Sequence, residues 1–159
     1  MTALALVLTL SLGGVDSLGK VSLVGLTFKA PTQWNKSQAD ANSLTWEEPM
    51  SGASLAVSVY VVDPQRPPGA CVAQLITALG TEGFSTLTLG GQPAAKKVMS
   101  DYVGDGEAAK IEANRVTTTT ATGCNGKTKW VLTWTAKTSA GARFGPMLKR
   151  VLDSISYGK

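Results

Sequence analysis

The sequence predicts a single α+β domain, an antiparallel β-sheet of about six strands flanked by helices. Three observations predict it. Leu55–Val62 and Lys129–Lys137 alternate apolar and small or polar residues with the period of a half-buried strand. Val72, Leu75, Ile76 and Leu79, and later Phe144, Met147, Leu148, Val151, Leu152 and Ile155, recur at helical spacing. The 159 residues are 43% hydrophobic and 16% charged, which suits one packed domain rather than a disordered chain.

The elements follow in order. Val21 to Ala30 (VSLVGLTFKA) is predicted as the first strand, stopped by Pro31. Trp34 then falls in a polar loop, and Leu44 to Glu47 is a short second strand ended by Pro49. Leu55, Val57, Val59 and Val61 form one face of the third strand. The breaker segment DPQRPPG, residues 63–69, leads into a helix near Ala70 that Gly80 or Gly83 closes. Phe84 to Leu89 is a strand ended by Gly90-Gly91, and Pro93 to Tyr102 is another.

Gly104-Asp105-Gly106 then suits a tight hairpin turn. A Thr-rich strand is predicted from Ala109 to Thr122, with a short helix over EAAKIEANR as the alternative. Asn125-Gly126 is the strongest hairpin signal in the chain. In the strand beyond it, Trp130, Leu132, Trp134 and Ala136 should face the core. Pro146 is tolerated in a first turn, so the closing helix is predicted to start near Arg143 to Gly145, with Gly158 as its exit.

Charge and composition narrow the chemistry. Fifteen Lys and Arg against 11 Asp and Glu give a net charge of +4. The basic residues are scattered, as in Lys96-Lys97, Lys127 with Lys129, and Lys149-Arg150, so no stripe for nucleic acid is expected. The chain has no histidine, which excludes Ser-His-Asp and Cys-His nucleophile activation within it. Two cysteines are too few for a thiolate zinc site. No cofactor and no metal is expected.

Several constellations weigh less than their bland alternatives. Asp101, Asp105 and Glu107 crowd one turn but match no calcium-loop spacing. Gly104-x-Gly106-x-x-Ala109 lacks the strand and helix that a dinucleotide fingerprint needs. Glu47 and Glu48 are adjacent, so on a strand they point to opposite faces. Glu112, beside Lys96, Asp101 or Tyr102 in a buried pocket, is the one grouping that would argue for catalysis.

Residues 1–14 read as a signal peptide around the apolar run ALALVLTLSL, and residues 20–157 as the domain. A buried N-terminal strand or helix is the alternative. The run is too short for a stable membrane span, which needs about 20 residues. Cys71 and Cys124 form an even pair that suits a disulfide in an exported protein, with two free thiols as the cytosolic alternative. Trp34 and Trp46 sit near strand ends in polar segments; core burial is the favoured reading of both, and partner anchoring is the alternative.

The order LTFKAPTQW, VAQLITALGTEGF, TLGGQPAAKK, NGK, TKWVLTWTA and FGPMLKRVLDSI resembles the PsbP-like fold family. That group includes the photosystem II extrinsic protein, the Ran-binding nuclear import factor, and bacterial DcrB-type and Eag-type relatives. The resemblance covers residues 21 to 156 and is strongest from Gly123 to Ile155. It implies an antiparallel sheet flanked by helices, an α/β/α sandwich, and a role in binding rather than catalysis. The lack of histidine means that metal roles of the photosystem protein do not carry over. The chain is therefore expected to be a non-enzymatic, exported (periplasmic or secreted) binding module of bacterial origin, with another protein as its partner. A cytosolic Eag-type chaperone holding apolar client segments is the alternative.

Overall fold

The computed structural model describes residues 17–158, so the apolar run of residues 1–14 lies outside the described residues. Where the sequence predicts one strand, two form a hairpin, β1 (Leu18–Leu23) and β2 (Leu26–Pro31). Val24 and Gly25 turn the chain between them with φ of 47° and 81°. A β-branched residue in the left-handed region is unfavourable alone. It is held because Leu23 and Leu26 on either side are buried and Gly158 N–H donates to the Gly25 carbonyl.

The segment after Trp34 is likewise a strand rather than a loop. β3 (Asn35–Asp40) pairs with β4 (Ser43–Glu47), which pairs with β5 (Ser54–Val61). Next come the first helix, α1 (Pro68–Leu79), and the hairpin of β6 (Ser85–Leu89) and β7 (Gln92–Tyr102). Gly80, with φ of 88°, is the residue that ends α1.

No tight hairpin forms at Gly104-Asp105-Gly106. Residues 103–114 instead make a long connection with 3₁₀ turns over Gly106–Lys110 and Glu112–Asn114. The strand predicted from Ala109 begins only at Arg115, so the helical alternative is nearer to what forms. The Ala- and Glu-rich stretch prefers helical turns and presents no alternating apolar face to hold it in a sheet. β8 (Arg115–Cys124) and β9 (Thr128–Lys137) then flank the Asn125-Gly126 turn. There Asn125 Oδ1 accepts from the N–H groups of Lys127 and Thr128 at 3.0 and 2.7 Å. A short 3₁₀ turn, Thr138–Ala140, leads into α2 (Gly141–Asp153), and β10 (Ser156–Tyr157) closes the described chain.

The fold class is α+β and all strand pairs are antiparallel. Among the described residues the strands number ten rather than about six, divided between two sheets. Seven lie in the order β3-β4-β5-β9-β8-β7-β6, and three in the order β1-β2-β10. The register aligns Leu55 with Trp134, Val57 with Leu132 and Val59 with Trp130, all buried on one face. The small sheet and α2 cover that face through Phe28, Phe144, Met147 and Val151. The other face, with Ser43, Ser58, Thr118, Thr120, Thr133 and Thr135, is half-buried and hydroxyl-rich. α1 covers one end of it through a smaller cluster of Val62, Cys71, Val72, Ala95 and Cys124.

Candidate functional site

Of the sequence-derived candidates the two cysteines are brought together and the two tryptophans are not brought to the surface. Cys71 at the start of α1 and Cys124 at the end of β8 are joined, with Sγ atoms 2.11 Å and Cα atoms 6.1 Å apart. The bond pins α1 to the large sheet, and both residues are buried. Trp34 and Trp46 are 5% and 3% exposed, so in this conformation neither ring offers a surface to a partner. Trp34 packs at a tilt against Trp134, ring centroids 5.1 Å apart, and meets Phe144 edge-on at 5.8 Å; Trp46 meets Phe28 edge-on. Both lie near strand ends, as their sequence context implied, but at ends that α2 and the small sheet cover.

The ionisable groups do not converge either. Glu112 is exposed, accepts from the Tyr102 hydroxyl at 3.2 Å and lies 3.5 Å from Arg115. Lys110 and Glu107 form a similar exposed pair. Among the described residues no group of three acidic or sulfur ligands could hold a metal ion. The titrations that shift have structural causes. Hydrogen bonding from Ser51, together with its amide, that of Met50 and the charge of Arg143 3.8 Å away, outweighs burial and holds the Glu48 carboxyl below its usual range. Burial raises the Tyr157 phenol, which the Trp130 indole N–H, donating at 2.7 Å, partly offsets.

What the structure does build is an apolar trough along one flank of α2. Phe144, Met147 and Val151 anchor the helix, and Gly145, lacking a side chain, leaves space between the helix and Thr119 of β8. A narrow hollow of about 110 Å³ runs under Phe144 and Leu148 toward Ala136. It shares Thr119, Gly145 and Leu148 with a wider hollow of about 430 Å³. Leu87, Leu89, Val98, Leu148 and Leu152 line the wider part, and Lys96, Lys149 and Asp153 stand around it. Lys149 is paired to Asp153, whereas Lys96 has no carboxylate partner among the described residues.

These leucines are legible in the sequence as part of a helix stripe and of a strand, but no spacing within either element shows that the two meet. Val98, an apolar residue 57% exposed on β7, marks the trough only once the strand's surroundings are known. A second apolar hollow of about 460 Å³ opens on the opposite face, between Tyr60, Val131 and the α1 residues Leu75 and Leu79. No helix among the described residues is long and apolar enough to cross a membrane.

No family model matches the chain, and no curated protein matches it. Solved structures do. The cyanobacterial PsbP of Synechocystis sp. PCC 6803 aligns over 91% of this chain and 95% of its own, with TM-score 0.62 and 11% identity. LpqN of Mycobacterium tuberculosis, described as involved in cell envelope biogenesis, aligns over 90% and 91%, with TM-score 0.55 and 14% identity. A Bacteroides thetaiotaomicron structure aligns over 85% of this chain with TM-score 0.63 and 12% identity, and this chain spans 46% of its length. At such identities the likeness establishes the fold, which is PsbP-like.

Proposed function

We propose that this PsbP-like chain is an exported binding module without catalytic activity, and that the trough beside α2 is where a partner protein sits. The observation that carries it is the trough itself. Half-buried Leu87 and Leu148 and exposed Val98, from β6, α2 and β7, meet there over buried Leu89 and Leu152, around a space large enough for several side chains, and no nucleophile paired to an activating base stands beside them. The fold neighbours support the reading, since they include a cyanobacterial PsbP and a protein described as involved in cell envelope biogenesis. The disulfide supports an oxidising compartment.

The test is photo-crosslinking in the native cells. A crosslinking residue at Val98, on the trough, should capture a defined partner that the same residue at Lys36, on the far edge of the sheet, does not. Equal labelling at both positions, or none, would remove the trough as a partner site. Mass spectrometry of the native protein tests export. A species beginning near Gly14 and lighter by two protons supports it; an intact N-terminus with reduced thiols points to the cytosolic chaperone instead.

A further inference from the structure

The two edges of the large sheet are built differently. β3 (NKSQAD) carries Lys36 and Asp40 and a register shift between Gln38 and Asp40, features that keep other strands from pairing. β6 reads STLTL, with no charge, proline or bulge, and among the described residues nothing pairs with its outer side. It is an unprotected edge, and it forms one lip of the trough.

The ladder shows which backbone groups are free. Gly90 and Gly91, with φ of 60° and 73°, make a two-residue turn closing on Leu89 and Gln92. That closing pair is hydrogen-bonded and such pairs alternate along an antiparallel ladder. Leu89, Leu87 and Ser85 therefore bond to β7, while Thr88 and Thr86 aim their N–H and C=O groups outward. Pro93, which has no N–H, stands opposite Thr88, as this alternation requires. On the trough side the register sets Leu87 beside Ala94 and Ser85 beside Lys96.

We propose that β6 accepts an extended segment of a partner protein as an eighth, antiparallel strand of the seven-stranded sheet. Its trough-side residues, read from the N-terminus, are apolar, apolar and acidic at alternate positions. The two apolar residues lie beside Leu89 and Leu87 and fill the wider hollow. The acid lies beside Ser85, two strand spacings or about 10 Å from the Lys96 backbone, which an ammonium and a carboxylate side chain span between them. The proposal rests on the trough being the partner site.

The probe is a fluorescein-labelled peptide, TVTVTET, with anisotropy as readout. Saturable binding is expected, weakened about tenfold when its glutamate becomes lysine and when alternate backbone nitrogens are methylated. Thr88→Pro removes an outward N–H without touching the ladder to β7, and should weaken binding about tenfold with an unchanged melting temperature. Equal affinity of the parent and N-methylated peptides would overturn the proposal whether or not the proline variant folds. So would equal affinity of the acidic and basic peptides. A dimer in light scattering that Thr88→Pro dissolves would make a second copy the occupant and overturn it as well. Crosslinking at Val98 would still report on the trough itself in each case, so failure of the added strand and failure of the partner site are distinguishable.

Discussion

Glu48 carries a charge almost out of contact with water, and its neighbours explain why it stays charged. The turn after β4 folds back so that the amides of Ser51 and Met50 donate to Oε2, while Arg143 approaches from α2 and stacks on Phe144 at 4.6 Å. A carboxyl whose folded-state pKa is lowered stabilises the fold fully above its ordinary value of 4.5, and loses that contribution as pH falls below it. Glu48→Gln should therefore flatten the acid side of the stability-against-pH curve, while other residues keep their share of it; chemical denaturation between pH 7 and 3 reads the difference. At this scale the Asn125-Gly126 turn is legible in the sequence, because its chemistry is local. The role of Glu48 is not, since its partner Arg143 lies 95 positions away along the chain.

α2 shows how packing overrides a local rule. Pro146 is the sixth residue of the helix rather than part of its first turn. It leaves the Ala142 carbonyl without the usual helical donor, and an interior proline costs about 3 kcal/mol. Pro146 is exposed, however, while Phe144, Met147, Val151 and Leu152 on the inner face are buried, and their combined burial outweighs that cost. Met147, 0% exposed, is the test: Met147→Ala should lower unfolding free energy by about 2–5 kcal/mol in urea, and an unchanged midpoint would refute the inner face described. The apolar stripe of α2 is readable because a helix advertises a buried face at 3.6-residue spacing. β3 is not, because an edge strand exposed on both faces shows no alternation. The β1–β2 hairpin is hidden too, since Val24 is a poor turn residue that only its packed surroundings hold in place.

Across the whole molecule, the disulfide ties the smaller cluster under α1 to the sheet that carries the larger core. It closes a loop of 53 residues, for which loop-closure entropy gives about 4 kcal/mol. Denaturation with and without reductant should differ by about that amount, and the reduced protein should lose protection first in α1, because only the smaller cluster then holds the helix. Equal midpoints in the two conditions would show that α1 docks without it. The fold class, the core face of β9, that of β5 as far as Val59 (Val61, expected on it, is exposed at the strand's end), both helical stripes and the lack of histidine chemistry all follow from the amino-acid sequence alone. Each is written in residue type or in spacing along one element. Long-range packing settled the rest: the strands split into two sheets, Trp34 and Trp46 became core, and β6, β7 and α2 came to enclose a trough. Those outcomes depend on which distant faces cover one another, and no periodicity within a single element encodes its neighbour.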